Sequence, residues 1–231
     1  MRELAIGDIH GCARAFAKLL ELVNPQPADT VVLLGDYVDR GPASCQVLDM
    51  ILDLNKRCTA VALLGNHERM MLWAKSDPKI FKEWLTHGGM MTLESYALNG
   101  GAREIEAVPE RHWTLLREQT LLSWETEKHI FVHASVDPQA PLSEQTEMRM
   151  LWEPFTRPMV HVSGKQIICG HKSQKTGLPA IFEGGVCIDT WAHGRGWLTC
   201  YDPAAQTFTQ ANENGEHRVL DFATLKGEGG G

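Results

Sequence analysis

Three short, mainly apolar stretches in the first 64 residues are each followed at once by a glycine and polar residues. They are Glu3–Ile6, Thr30–Leu34 and Thr59–Leu64. Short apolar runs bounded by turns are typical of strands buried in a parallel sheet. Between them, Ala13–Val23 and Ser44–Leu54 carry apolar side chains at helical spacing. The pattern therefore predicts a β-α-β-α-β unit with a parallel sheet.

The pattern changes after the third stretch. From residue 67 to about residue 127 it contains no clear strand, and we predict a helical insertion that caps the sheet. Strand patterns return at 129–132, 166–169, 180–183, 186–188 and 197–201. We expect one domain over residues 1–226, followed by a disordered tail at 227–231, because a glycine-rich end has nothing to bury.

Composition and charge exclude several classes of protein. The chain has 22 Lys and Arg against 29 Asp and Glu, a net charge of −7, and no basic block of the kind that binds nucleic acid. No apolar run reaches 18 residues, so we expect no membrane span. The start of the chain lacks the apolar core of a signal peptide, which favours a cytoplasmic protein. Its six cysteines form no C-x-x-C pair, and we expect them reduced. We also expect a monomer.

Polar residues of metal-binding type follow each of the three predicted strands. Asp8 and His10 follow the first, Asp36 the second, and Asn66 and His67 the third, about one βαβ unit apart. Ligands bind outside the carboxyl ends of parallel strands, so these side chains should converge. A polar turn explains one such pair, but it does not explain three at regular spacing.

The residue types point to two metal ions. His133 and His171 follow later strand patterns. With them, the candidate metal ligands are two aspartates, Asn66 and the three histidines His10, His133 and His171. Carboxylate, amide oxygen and imidazole together suit manganese, iron or zinc. One ion does not need so many ligands, whereas a carboxylate has two oxygens and can bridge a pair. We predict a dinuclear site with open positions for water.

Five blocks of the chain resemble a known family. GDIHG, GDYVDRG and GNHE are similar to the three motif blocks of the phosphoprotein phosphatase branch of the calcineurin-like metallophosphoesterases, and VHASVDP and CGHKSQ to two further blocks. The likeness runs from about residue 3 to about residue 203 and is closest to bacterial and phage protein Ser/Thr phosphatases. It implies an α/β (α+β) fold, a calcineurin-like β-sandwich flanked by helices.

The resemblance also implies a role for each residue of these blocks. Asp8, His10 and Asp36 would hold the first ion, and Asp36, Asn66, His133 and His171 the second. Manganese is the expected metal, with iron or zinc as alternatives. His67 would be the general acid, oriented by Asp39, while a metal-bridging hydroxide attacks phosphorus directly. The expected substrate contacts are Arg40, Asn66 and Arg157, with Arg149 as the alternative to Arg157 because the spacing there departs from the family.

Three functions are compatible with these motifs. The favoured one is a protein serine/threonine phosphatase acting on a phosphoprotein or small phosphoester. A diadenosine-tetraphosphate hydrolase shares most blocks, but the intact Asp39-Arg40 pair and Glu68 look more like the phosphatases. A catalytically inactive binding scaffold is disfavoured because every ligand and His67 are present. The sequence leaves the substrate and the native metals open.

Overall fold

The first sheet forms from the strands that the N-terminal pattern predicts. In the computed structural model, which describes residues 1–228, it contains seven strands in the order β12-β11-β10-β1-β2-β3-β4. Their bounds are β1 Glu3–Ile6, β2 Thr30–Leu33, β3 Thr59–Leu63, β4 Thr120–Leu121, β10 Leu198–Asp202, β11 Thr207–Ala211 and β12 His217–Asp221. Strands β1 to β4 are parallel. Ile6 lies opposite Leu33, and Leu33 opposite Ala62, so three strands end at one level.

The second sheet has five strands in the order β5-β6-β7-β9-β8. Their bounds are β5 Ser123–Glu125, β6 His129–Val132, β7 Gln166–Cys169, β8 Ala180–Phe182 and β9 Gly185–Cys187. Strands β6, β7 and β9 are parallel to one another. Their carboxyl ends therefore form a second edge at which polar residues can collect.

The two sheets face each other across a dry core. Ala5, Val32 and Leu63 of the first sheet belong to the same fully buried cluster as Phe131 and Ile168 of the second. Burial of such side chains on both inner faces is the main stabilising term of a sandwich. The β-sandwich flanked by helices that the resemblance implies is confirmed.

Helices pack on more than one face: most cover the outer face of the first sheet, one packs against the second sheet, and the last packs against the core between the sheets. Their bounds are α1 Ala13–Val23, α2 Ser44–Leu54, α3 Asn66–Ala74, α4 Pro78–Trp84, α5 Met90–Leu98, α6 Glu110–Thr114, α7 Glu147–Trp152 and α8 Phe222–Glu228. Helix α1 buries Phe16, Leu19 and Leu20 and ends at Asn24, which adopts the left-handed conformation typical of a helix end. No helix among the described residues is both long enough and apolar enough to cross a bilayer.

Helices α3 to α6 lie in the stretch for which the sequence predicts a cap. Two π-helical turns, Leu85–Gly89 and Leu115–Gln119, interrupt them. The stretch ends in strands β4 and β5, which the pattern missed because they have only two and three residues. The division into one domain with a cap stays a prediction, and residues 229–231 of the predicted tail lie outside the described residues.

Strands β11 and β12 were also missed by the sequence pattern. The sequence HRVLD of β12 shows no clear alternation of apolar and polar residues. The strand lies at the edge of the sheet and exposes three of its five residues. Its pairing with β11 is regular, from Thr207 opposite Asp221 to Ala211 opposite His217. These strands extend the first sheet sideways, beyond β10.

Candidate metal centre

The predicted ligands collect where the strands of both sheets end. Asp8 and Asp36 follow β1 and β2, Asn66 begins α3 just after β3, and His133 and His171 follow β6 and β7. All except His171 are buried, and His171 is partly exposed. The shared end level of the strands thus brings together residues that are far apart in the chain.

Asp36 lies at the middle of this arrangement. One carboxylate oxygen is 3.4 Å from His10 Nε2 and 4.0 Å from His67 Nε2, and the other is 3.4 Å from His133 Nε2. Ligand atoms of His10, Asp36 and His67 lie within 4.8 Å of one another, and so do those of Asp36, His133 and His171. Asp36 is the member that both groups share.

The first group differs from the set that the resemblance implies. It includes His67 and leaves out Asp8. Both oxygens of Asp8 instead face the backbone N–H of His171, at 3.0 and 3.2 Å. A side chain at position 170 would come within 2.0 Å of Asp8, so Gly170 is what lets the carboxylate sit there.

Backbone carbonyls fix the tautomers of three histidines. A carbonyl oxygen only accepts, so the ring nitrogen that faces it carries the proton and the other nitrogen presents its lone pair. The donations are His10 Nδ1 to Val38 at 2.9 Å, His133 Nδ1 to Leu34 at 2.9 Å and His171 Nε2 to Trp152 at 3.1 Å. Hydrogen bonds of this kind are the usual second partners of metal-binding histidines.

The arrangement around Asn66 fits a cation. The side-chain oxygen of Asn66 is 3.0 Å from His133 Nε2 and 3.0 Å from His171 Nδ1. With the tautomers above, His133 Nε2 and His171 Nδ1 each present a lone pair to the Asn66 oxygen, which is itself an acceptor. A divalent ion between them satisfies all three, and imidazole with amide oxygen and carboxylate is a set that transition metals accept.

The two aspartates of the site differ electrostatically. Burial, together with the neighbouring carboxylates Asp189 and Asp36, raises the pKa of Asp8 well above its usual range. Burial works in the same direction on Asp36, but His133, His67 and His10 outweigh it and lower the pKa of Asp36. Asp36 therefore keeps its negative charge within the protein, whereas a bound cation is what would keep the charge on Asp8.

His67 is paired with Asp39 in the interior. His67 Nδ1 is 2.7 Å from Asp39 Oδ2, and both side chains are at most 1% exposed. Asp39 also accepts hydrogen bonds from Trp84 Nε1 at 2.8 Å and from Thr92 Oγ1 at 2.7 Å. Burial lowers the pKa of His67, but Asp36 and Asp39 more than compensate and the net shift is upward. Helices α4 and α5 thus orient the carboxylate that orients His67.

Arg40 follows Asp39 in the loop between β2 and α2, and its side chain contacts a predicted metal ligand. Its Nη1 donates to His10 Nε2 over 2.8 Å, and its backbone N–H donates to the carbonyl of Gly88 over 3.3 Å. A side chain on Gly88 would meet the Arg40 backbone nitrogen at 2.7 Å. The absence of a side chain on Gly88 therefore allows the helical insertion to pack against the backbone of Arg40.

Left-handed backbone is concentrated at this site. Eight non-glycine residues within 1–228 have a positive φ, and five of them are predicted site residues: His10, Asp36, Asp39, Arg40 and His171. This conformation costs free energy in residues with a side chain and persists where the surroundings enforce it. Its concentration here is independent support for a functional centre.

The comparison with known families agrees with this geometry. The sequence profile of calcineurin-like phosphoesterases matches residues 1–187. The chain belongs to this family. Calcineurin-like phosphoesterases use a dinuclear metal site, and the shared position of Asp36 provides for one here. The family that the motif blocks indicate is therefore confirmed.

Two curated relatives carry the same name. The chain is 34% identical over 152 residues to the symmetrical bis(5'-nucleosyl)-tetraphosphatase of Pseudomonas putida strain W619, which covers 64% of this chain and 47% of that protein. It is 31% identical over 150 residues to the enzyme of that name from Stutzerimonas stutzeri, covering 62% and 48%. The matched stretch is thus about half the length of these relatives.

Solved structures share the fold. A candidate diadenosine tetraphosphatase superposes with a TM-score of 0.65 at 21% identity, covering 95% of this chain and 92% of that chain. A cold-active protein-tyrosine phosphatase of a psychrophilic Shewanella species gives 0.63 at 15% identity, covering 95% and 80%. Structures at these identities establish the architecture of this calcineurin-like phosphoesterase and leave its substrate open.

The expected protein serine/threonine phosphatase activity is wrong, since the curated relatives at 31 to 34% identity are named tetraphosphatases. The structure gives the reason for the error. Asp39 orients His67, and Glu68 accepts hydrogen bonds from the backbone N–H groups of Asp36, Tyr37 and Val38. Both residues therefore support the metal edge, by which we mean the strand ends that carry Asp8, Asp36, Asn66, His133 and His171. Their presence does not discriminate between substrates.

Arg157 is not brought to the metal edge. It is exposed, its guanidinium lies over the rings of Phe155 and Phe182, and it lines a cavity of about 1000 Å³ that contains none of the predicted metal ligands. The alternative, Arg149, forms an ion pair with Glu153 on the outside of α7. The structure therefore does not bring Arg157 among the predicted ligands, and a second phosphate-binding arginine stays a prediction.

Sequence reasoning also missed His193, which belongs to none of the motif blocks. The His193 ring packs edge-to-face on His10 with ring centres 4.8 Å apart. Its Nδ1 is buried and has no hydrogen-bond partner among residues 1–228. Burial and the charges of Arg40 and His67 lower the pKa of His193 to about 4, so the ring is neutral at neutral pH. A lone histidine in a Gly-rich loop gave no pattern by which to find it.

Proposed function

We propose that this chain hydrolyses dinucleoside tetraphosphates symmetrically, into two nucleoside diphosphates. The support is threefold: the family, the metal edge built around Asp36, and the shared name of the curated relatives. The single observation that carries phosphoester hydrolysis is that Asp36 belongs to both groups of ligand atoms. The substrate class comes from the relatives, whose length this chain only partly spans.

The residues that would hold the metals can be named. Asp8, His10 and Asp36 would hold one ion, and Asp36, Asn66, His133 and His171 the other, as the motif blocks imply. Two divalent ions, when bound, polarise the phosphoryl oxygens and supply the acidity that activates a water molecule. We expect Mn²⁺ to support activity, since carboxylate and amide oxygens with imidazole nitrogens accept it.

The remaining residues act on the substrate directly. The Arg40 guanidinium lies beside the first ligand set and can donate two parallel hydrogen bonds to a phosphoryl group. In the reaction, the oxygen of water bonds to one inner phosphorus. The bond from this phosphorus to the central bridging oxygen breaks, and the bridging oxygen leaves with the second nucleoside diphosphate.

His67 faces the leaving group in this scheme. Asp39 holds its Nδ1, so Nε2 is the atom that can give a proton to the departing oxygen. A nucleoside diphosphate is a far weaker base than an alkoxide. Proton donation by His67 should therefore matter less for this substrate than for a serine or threonine ester.

The test is a product analysis with the chain and added Mn²⁺. Diadenosine tetraphosphate should give ADP as its sole nucleotide product, whereas asymmetric cleavage would give ATP and AMP. Phosphoserine and phosphothreonine peptides serve as the competing substrates, and the Asp36→Asn variant controls for contaminating hydrolases. Efficient turnover of the peptides with no release of ADP from the dinucleotide would refute the proposal.

A further inference from the structure

One aromatic side chain near the metal edge has no role in the hydrophobic core. Trp191 is partly exposed, and within residues 1–228 it belongs to none of the three hydrophobic clusters nor to the side chains packed against them. Large aromatic side chains normally contribute most of their stabilisation through core burial. The position of this indole therefore needs another explanation.

The backbone of Trp191 is held in a strained conformation. Its φ is +66°, which is a genuine outlier for a bulky residue. Hydrogen bonds enforce it: the Trp191 N–H donates to Asp189 Oδ1 at 3.0 Å, and its carbonyl accepts from Gly194 at 3.0 Å and Gly196 at 3.2 Å. Strain that the surroundings enforce is typical of functional loops.

The loop places the indole next to the metal edge. His193 lies edge-to-face with Trp191 at 6.4 Å and with His10 at 4.8 Å, so one imidazole separates the indole from a predicted metal ligand. A side chain on Gly194 would come within 2.2 Å of the indole, so the loop packs tightly beside it. The ammonium group of Lys175 lies 5.9 Å from the ring centre and brings positive charge to the same place.

We propose that Trp191, with His193 beside it, is a stacking platform for one nucleobase of the substrate. This inference rests on the proposed function, which requires a base close to a polyphosphate. A base stacks on an indole through its π-face, and the adjacent Lys175 suits the phosphates that follow the base.

A second exposed tryptophan is a weaker candidate. Trp73 is 43% exposed, but its ring is stacked on Trp152 with an angle of 7° between the planes. The guanidinium of Arg69 lies 5.9 Å from the same ring, and Trp152 packs against the core. A ring of the chain already stacks face to face on Trp73, whereas the aromatic neighbour of Trp191 lies edge-to-face, so Trp73 is a matched control.

The experiment measures binding of ADP and of inorganic pyrophosphate by calorimetry, with Mn²⁺ present. Trp191→Gly removes the indole and supplies the residue that adopts a positive φ without strain. We expect the Kd for ADP to rise at least about fivefold, which corresponds to the low end of the range for base–aromatic stacking. The Kd for pyrophosphate should change less than about twofold, and the melting temperature should not fall. Trp73→Ala should leave both Kd values unchanged.

Two further variants and outcomes complete the test. Trp191→Phe keeps an aromatic face and should retain most of the ADP affinity, even if the glycine variant folds poorly. An unchanged Kd for ADP in Trp191→Gly would overturn the platform, as would an equal loss for ADP and pyrophosphate, or a loss confined to Trp73→Ala.

The same variants separate this inference from the proposed function. If the unmodified chain does not cleave diadenosine tetraphosphate but binds ADP through Trp191, only the proposed function fails. If Trp191→Gly cleaves the dinucleotide with an unchanged KM, only the platform fails.

Discussion

The two ends of strands β1 to β3 treat buried carboxylates in opposite ways. At the amino end, Asp29 accepts hydrogen bonds from the side chain and backbone of Arg2 and from the Gln26 N–H. The Arg2 guanidinium lowers the pKa of Asp29 to about 2. At the carboxyl end, Asp8 is just as deeply buried, but its neighbours are the carboxylates Asp189 and Asp36, and its pKa is raised.

The difference shows which end of the sheet serves stability and which serves function. Where the chain provides its own cation, a buried carboxylate ties two segments together. Around Asp8 and Asn66 the neighbouring groups are hydrogen-bond acceptors, and no cationic side chain within residues 1–228 is paired with them. This arrangement suits binding of a metal cation. The strained backbone follows the same division, since Asp36 and His10 have positive φ and Asp29 does not.

The largest effect should come from Asp36→Asn. It removes the negative charge from the one side chain that both ligand groups share. We expect kcat/KM for diadenosine tetraphosphate to fall by more than about 10³-fold, beyond the loss of a single polar contact. Elemental analysis should show fewer than two ions bound per chain, and a chelator should abolish activity in the unmodified protein until Mn²⁺ is added back.

Asp8→Asn is the matched variant at the same edge. Its carboxylate lies outside the shared group, so it should lose less metal than Asp36→Asn. Equal metal loss in both variants would contradict the central position of Asp36, and two bound ions in Asp36→Asn would remove it from the site.

The next largest effect should come from Arg40→Lys. Lysine keeps the charge but loses the planar fork that matches phosphate oxygens. We expect kcat/KM to fall about 10- to 100-fold, mainly through KM, in steady-state assays of the dinucleotide. Arg157→Lys is the control, since this arginine lines a separate cavity, and it should change kcat/KM by less than about twofold. A larger effect in Arg157→Lys than in Arg40→Lys would reverse the two assignments.

A smaller effect on the dinucleotide is expected from His67→Asn. Because the leaving nucleoside diphosphate is a weak base, kcat for diadenosine tetraphosphate should fall by less than about tenfold in this variant. Aryl phosphates whose phenols span a range of basicity provide the sharper measurement: the loss should grow with phenol basicity toward the 10²–10⁴-fold contribution of a general acid. Asp39→Asn should show the same trend more weakly, because it only orients His67. The same loss for every leaving group would make His67 an orienting residue or a metal ligand.

Motif-bearing residues were predictable because local sequence fixes their place. Asp8, Asp36 and Asn66 each follow a strand, and the ends of parallel strands must meet, so their convergence follows from the pattern alone. His133 and His171 follow strands of the other sheet and join them because the two sheets pack face to face.

Residues that depend on loop paths were not predictable. Arg157 lies only a few residues from Trp152, whose carbonyl holds His171, yet its side chain lies over Phe182 and lines a cavity without predicted metal ligands. His193 and Trp191 reach the site through a loop with one positive φ that no local pattern indicates. The substrate class was mistaken for a related reason, because Asp39 and Glu68 have partners within the metal edge and carry no information about the cleft.

The smallest effect should come from Asp29→Asn at the opposite end of the strands, and it should touch stability alone. The pKa of Asp29 in the folded chain, about 2, lies below its ordinary value of about 3.9. The folded state therefore binds fewer protons between these values, and the stabilisation is complete above about pH 4 and is lost as the pH falls toward 2. Loss of about 1 kcal/mol of charge-assisted hydrogen bonding lowers the melting temperature by about 2–4 °C in a chain of this size.

The measurement is thermal unfolding of the protein and the Asp29→Asn variant from pH 7 to pH 2. Their melting temperatures should differ at pH 7 and converge at the acidic end, while kcat/KM at neutral pH stays the same. Asp53→Asn is the control: its partner Lys56 is 76% exposed, and such surface pairs contribute little. A difference that persists unchanged to pH 2 would mean that Asp29 stabilises the fold through packing, and the contrast between the two ends of the strands would then lose its electrostatic basis.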